Sequence, residues 1–320
     1  MKWEDLRRSK NVQDRRGQNN QSGRTSSNPR GRGGGTNRSS GGLLNLLLPL
    51  LMSSGGGKWI LIIILALGLF GGGFGLFDGV LDQSSNNQVI QTTTNQQTVN
   101  TDDLASDEEL DFLAAVLGFT EDYWTQTFEN YDMVYEPTSL VVYTAGTPTG
   151  GCGYGDSAAG PFYCPADQTI YIDMDFYHQL ATRYQAPGDF AMAYVLAHEV
   201  GHHVQNLTGI MDEYNSARRG ASENTANELN VRLELQADYF AGAWANYVQD
   251  HGLLEIGDLE EAMQAAYAVG DDTLQEAAYG RVVPDSFTHG TSQQRQNWFY
   301  RGFEYGDFEH SDTFSGSIDI

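Results

Sequence analysis

The stretch "YVLAHEVGHHVQNLTG", residues 194–209, sets three histidines and a glutamate within six positions. His198-Glu199-Val200-Gly201-His202 reads H-E-x-x-H. On a helix His198 and His202 stand one turn apart on the same face, so both imidazoles can reach one metal ion. Glu199 sits beside them, within reach of a water at that ion, as a general base. His203 is rotated by about 100° from His202 and is expected to be a structural neighbour of the site, not a ligand. The pattern by itself is only moderately specific, because two histidines on a helix are commonly a polar surface patch. Here the preceding "AMAYVLA" (residues 191–197) is apolar, which predicts a buried helix in which idle histidines would be costly.

A catalytic zinc requires a third protein ligand and one open position. "LELQADYFAGAWA", residues 233–245, offers Glu234 as that ligand and Asp238 one turn later. Asp238 can accept the free ring N–H of a ligating histidine and fix its tautomer. The apolar flanks Leu233, Leu235, Phe240 and Trp244 argue against a solvated face, and Ala237, Ala241 and Ala245 allow close packing on the first helix.

Outward from these two segments, the spacing predicts a metal-bearing helix from Asp189 to about Gly209, a second from about Asn224 to Asp250 and a third from Asp258 to about Val269. Ser106 and Glu109 form a capping box ahead of an earlier helix. Strands are expected at Thr138–Ala145 and Gln168–Phe176, and the chain after Gly280 is irregular before turning helical at "SQQRQNWFYRGF". The domain is thus α+β, mainly helical with a small sheet. Cys152 and Cys164, the two cysteines of the chain, close a short Gly-rich loop between the strands and are expected to form a disulfide in an oxidising compartment; a metal pair lacks further ligands nearby.

The formal charge of −24 hides an asymmetry. Eleven of the 18 Lys and Arg precede Trp59, whereas 39 of the 42 acidic residues follow it, so nucleic acid and anionic membrane are poor partners for the acidic part. "WILIIILALGLFGGGFGLF", residues 59–77, is long and apolar enough to cross a bilayer and reads as an uncleaved anchor, with a cleaved signal peptide as the competing reading. Ten Lys and Arg ahead of Leu43 place the N-terminus in the cytoplasm and the domain outside the cytoplasmic membrane. The expected organisation is a disordered basic segment 1–42, a short apolar run and Gly-rich turn 43–58, the anchor 59–77, a polar linker 78–104, the exported domain 105–314 and a tail 315–320.

Five segments carry a family resemblance: "KWEDLRRSKNVQDRRG" (2–17), "GPFYCPADQTIYID" (160–173), "GDFAMAYVLAHEVGHHVQ" (188–205), "ELQADYFAG" (234–242) and "GRVVPDSFTHGTSQQRQNWFYRGF" (280–303). They resemble a bacterial family of neutral zinc metallopeptidases, single-pass proteins with an exported domain, and more widely the gluzincins. The resemblance implies a zincin-like peptidase domain with one catalytic zinc on His198, His202 and Glu234, Glu199 as base, and Asp238 orienting His198. It also implies His289 near the developing oxyanion, with Arg295 holding its segment. Its implied partner is a peptide or protein substrate, aligned by zincin analogy on the strand "TIYIDM" (169–174). Many members have cysteines where Tyr239 and Ser311 stand here, which puts the rigidity of the C-terminal part in doubt. A non-catalytic zinc-stabilised surface adaptor is the alternative reading, and a peptidase kept latent by the Gly-rich loop around Cys152 is a third.

Overall fold

β-Branched and aromatic residues make "SLVVY" and "TIYID" the two central strands of the computed structural model, which describes residues 1–17, 107–156 and 160–320. β2 (Ser139–Tyr143) and β6 (Thr169–Asp173) pair in parallel, with Leu140 opposite Ile170 and Val142 opposite Ile172. Both strands are almost wholly buried, as expected where a parallel pair is covered on both faces. β5 (Phe162–Cys164) adds antiparallel to β6, and β1 (Val12–Asp14) adds parallel to β2, giving the order β1-β2-β6-β5. The expected edge strand "TIYIDM" is therefore interior, enclosed by β2 and β5, and β5 forms the edge. A hairpin of β3 (Gly146–Pro148) and β4 (Tyr154–Asp156) carries Cys152 in its turn, and the Cys152–Cys164 disulfide ties it to the end of β5.

β6 stops three residues before its expected end because Asp173 caps a helix there: its carboxylate accepts the Asp175 N–H at 3.0 Å. The resulting α2 (Met174–Thr182) was not legible in the spacing, and neither were α4 (Ile210–Arg218) and α7 (Asp271–Tyr279). The longer helices fall close to expectation. These are α1 (Asp107–Asn130), α3 (Asp189–Leu207), α5 (Glu223–Asp250), α6 (Asp258–Ala268) and α8 (Ser292–Tyr305). Ser106, the proposed cap of α1, lies outside the described residues.

The core fills the space between the sheet and α1, α3, α5 and α8, with Leu140, Ile170 and Ile172 meeting Leu196, Val200, Phe240 and Trp244 in one cluster. Two glycine contacts set how closely the helices approach. A Cβ on Gly201 would stand 3.1 Å from the Ala237 backbone, so α3 crosses α5 nearly backbone to backbone beside the metal motif. Gly242 and Gly302 do the same for α5 and α8: a Cβ on either would come within 1.9 Å of a backbone oxygen, of Phe299 and Tyr239 respectively.

The expectation that residues 1–42 are disordered is corrected for residues 1–17; residues 18–42 lie outside the described residues. The first seventeen residues fold onto the domain because their apolar and basic side chains find specific partners. Met1 is 3% exposed, its ammonium lies 3.0 Å from Asp189 and 3.2 Å from Asp258, and Trp3 sets an edge on Phe112. The short apolar run, the anchor and the polar linker also lie outside the described residues. Among the described residues no helix is long and apolar enough to cross a membrane.

At the C-terminus, hydrogen bonds act where a second disulfide is absent. The Tyr239 hydroxyl donates to Asp307 at 3.0 Å, and Gln236 donates to the Ser311 carbonyl at 3.1 Å. Trp298 Nε1 donates to the Ile318 carbonyl at 3.0 Å, so the final residues are tied back to α8.

Candidate metal centre

Helix α3 begins at Asp189 after Gly188, whose φ of 117° turns the chain sharply enough to start a new direction. Nine residues later it presents His198 and His202 to α5, whose Glu234 lies opposite them. The His198 Nε2 stands 3.2 Å from Glu234 Oε2, and the His202 Nε2 stands 3.6 Å from Glu234 Oε1. The three donor atoms lie within 4.8 Å of one another, and the donors are two imidazole nitrogens and one carboxylate oxygen. No fourth His, Cys, Asp or Glu joins this cluster among the described residues. A second acidic cluster, Asp189, Asp258 and Glu261, faces the Met1 ammonium instead.

Both ring tautomers are fixed from behind. His198 Nδ1 donates to Asp238 Oδ1 at 2.8 Å, which leaves the Nε2 lone pair aimed at the cluster. His202 Nδ1 donates to Gln205 Oε1 at 2.8 Å, and Gln205 cannot be turned over because its amide donates to the Leu233 carbonyl at 2.7 Å. Two imidazoles with Nε2 lone pairs converging on a carboxylate suit a zinc ion, and the donor set fits.

Asp238 is fully buried and held by three donors. Besides His198, its Oδ1 accepts from the Tyr194 hydroxyl at 2.6 Å and from Arg295 at 2.9 Å, while its Oδ2 accepts from Arg295 Nε at 2.8 Å. Burial pushes the Asp238 carboxyl up, but Arg295 and His198 outweigh it and hold it at about 2. Arg295, on the first turns of α8, therefore acts on the site through Asp238. Burial pulls the His198 imidazole down, yet Asp238 and Glu234 raise it to about 9. The carboxylates thus favour a cation at this spot, whether a proton or a metal ion.

Burial raises the Glu199 carboxyl, with His202 and His198 pulling the other way and the backbone N–H of Tyr163 on β5 also favouring the ionised form. Glu199 thus lies between the histidines and the free edge of the sheet.

His203 occupies a separate environment, fully buried. Its Nε2 donates to the Glu136 carbonyl at 2.6 Å and its Nδ1 accepts from the Tyr163 hydroxyl at 3.0 Å, so it stitches α3 to β5 and to the chain ahead of β2. The sequence placed it outside the ligand set, and its hydrogen bonds turn it away from Glu234.

His289 is brought near the cluster by a turn that the sequence did not reveal. Asp271 Oδ2 accepts the backbone N–H groups of Thr288 at 2.6 Å, His289 at 2.6 Å and Gly290 at 3.1 Å, and Asp271 Oδ1 lies 3.4 Å from His289 Nδ1. Burial pulls the His289 imidazole down, and Glu234 and Asp271 more than offset it. His289 in turn helps His202 hold the half-buried Glu234 carboxyl well below the usual range. Asp271, Gln205 and Tyr194 are residues around the site that sequence reading missed; a lone aspartate at a helix start carries no signal beyond an ordinary cap.

A family model described as "putative neutral zinc metallopeptidase" matches residues 1–314. A protein of Escherichia coli, "Uncharacterized protein YpfJ", is 44% identical over 319 residues, covering 99% of this chain and 100% of that protein. An uncharacterized protein of Mycobacterium tuberculosis is 44% identical over 178 residues, covering 52% of this chain and 59% of that protein. No solved structure matches the chain.

Proposed function

The chain belongs to the family of neutral zinc metallopeptidases so described, and from that premise we propose that it is a zinc-dependent endopeptidase attached to a membrane by its apolar stretch 59–77. The observation that carries the reading is the pairing of an incomplete ligand shell with a buried carboxylate beside it: His198, His202 and Glu234 supply three donors, and Glu199 adjoins them. A purely structural zinc site closes its fourth position with another residue, and none is in place here among the described residues.

His198, His202 and Glu234 would hold the ion. Zinc supplies Lewis acidity, lowering the pKa of a water and polarising a peptide carbonyl. Glu199 takes the proton of the attacking water and delivers it to the leaving amine. Asp238 keeps the His198 Nδ1 protonated and the ring in place, and Arg295 keeps Asp238 ionised. His289 is the candidate donor to the developing oxyanion, a role supported by its electrostatic interaction with the ligand Glu234. β5 is the edge on which an extended substrate would pair, with the Tyr163 N–H next to Glu199. That assignment gives the chain a zincin-like arrangement by analogy, with β5 in place of the interior "TIYIDM".

The test is Glu199→Gln in the purified full chain. Zinc content stays at one per chain while cleavage of an unfolded protein mixture drops by about 10³-fold, within the range for loss of a general base. Undiminished cleavage by this variant would refute the assignment. The same experiment with wild type and a chelator should abolish cleavage.

A further inference from the structure

Residues 1–17 and the metal domain are separated in the chain by residues 18–106, which include the apolar stretch Trp59–Phe77. In the structure they are one folded unit. Strand β1 pairs with β2 along Val12, Gln13 and Asp14, and the ladder is extended by hydrogen bonds from Leu140 N to Asn11 O and from Arg15 N to Val142 O. Ser9 N donates to the Ala114 carbonyl on α1, and Lys2 N donates to the Leu253 carbonyl after α5.

The domain's own residues are shaped to receive this segment. Glu121 on α1 is 6% exposed, and its carboxylate takes Arg7 at 2.8 Å, Ser9 Oγ at 2.5 Å and Asn11 Nδ2 at 2.8 Å, all three from the N-terminal segment. The docked segment covers this carboxylate and at the same time supplies the cation and the hydroxyl and amide donors that compensate its burial. Arg8 makes a two-pronged pair with Asp111, at 2.8 and 2.6 Å. Gly118 lets the segment lie flat on α1, since a Cβ there would come 2.5 Å from the Arg7 carbonyl oxygen.

A chain that crosses a bilayer once between residues 17 and 107 puts these partners on opposite faces and can make none of these contacts. Two of the ten basic residues that argue for a cytoplasmic N-terminus are here spent on the fold: Arg7 and Arg8 are matched by Glu121, Asp122 and Asp111. We infer that residues 1–17 lie on the same side of the membrane as the metal domain and form part of it. The number of crossings between them is then even, in place of the single crossing that the apolar stretch suggests.

Lysines at positions 2, 10 and 58 are the chain's full complement, so residues 107–320 carry none. Ile256 is fully exposed beyond the end of α5, and Ile256→Lys gives the domain a reporter without touching the core. The experiment treats intact spheroplasts carrying the full-length Ile256→Lys chain with a membrane-impermeant amine reagent. Labelling at Lys10 and at position 256 is read by mass spectrometry before and after permeabilisation. The inference expects the two sites to behave alike, both labelled before permeabilisation or both only after it. One site labelled in intact spheroplasts while the other stays protected overturns it. Neither outcome depends on peptidase activity, so failure here is distinct from failure of the proposed function.

Discussion

Asp238 and Arg295, 57 residues apart, meet in a buried two-pronged ion pair: Arg295 Nε lies 2.8 Å from Oδ2, and a terminal guanidinium nitrogen lies 2.9 Å from Oδ1. The pair joins α5 to α8 directly behind the first histidine of the metal motif. Replacing Asp238 with Asn keeps the shape, but it leaves a buried guanidinium without its counter-charge. Asp238→Asn should cost about 3–5 kcal/mol of stability, the range for breaking a buried pair from one side. It should also weaken zinc binding about 10- to 100-fold, because His198 loses its orienting acceptor. Denaturant unfolding in chelator and competitive zinc titration separate the two effects, and an unchanged zinc affinity would remove Asp238 from the site.

His203 should behave differently from its neighbours in the motif. His203→Leu deprives the Glu136 carbonyl and the Tyr163 hydroxyl of a partner each, which should destabilise the domain by about 2–3 kcal/mol. Zinc stoichiometry should stay at one per chain. A drop toward zero, as expected for His202→Leu, would make His203 a ligand and contradict its hydrogen bonds.

The reciprocal glycines of α5 and α8 offer a packing test remote from the chemistry. Gly302→Ala places a methyl where the Tyr239 carbonyl oxygen stands, 1.9 Å away, so the helices must separate. The expected loss is about 3 kcal/mol or more, at the upper end of overpacking costs, seen as a lowered thermal midpoint in the metal-free protein. Because Arg295 rides on the same helix, zinc affinity should fall as well.

Stability should also respond to acid in a defined window. Asp238 is depressed from its ordinary value near 3.8 to about 2, so its contribution is fully present above about pH 4 and is lost as pH falls through the folded value. Urea midpoints of the chelated wild type at pH 5, 3.5 and 2.5 should decline more steeply than those of Asp238→Asn. Parallel declines would assign the acid sensitivity to other carboxylates.

The legible part of this molecule was the part written in short-range patterns. H-E-x-x-H and Glu234 with Asp238 each declare themselves within one or two helical turns, and helical periodicity outlines the helices that carry them. Cys152 and Cys164 pair because they are the two thiols of the chain. What stayed hidden depends on contacts that no local window contains. β5 is three residues long and has no periodicity to detect, yet it displaces "TIYIDM" from the edge. Asp271 gains its role only when residues 288–290 fold back on it. The first seventeen residues share a composition with the Arg- and Gly-rich stretch that follows, and an average over both conceals the Trp3, Arg7 and Arg8 that find partners more than a hundred positions away.

That distance bears on how the molecule acquires its shape in time. Residues 1–17 leave the ribosome long before α1, β2 and the end of α5, against which they pack. Local helices can form as they emerge, whereas β1 must wait for a strand whose first residue lies 125 positions beyond its last. The closing of so long a loop adds little to the equilibrium cost, about 0.6 kcal/mol for each doubling of length, but it slows the search. Until that search ends, Glu121 and the open side of β2 are exposed to solvent. The docking of β1 is therefore expected among the last events of folding, a late clasp that closes a domain otherwise assembled.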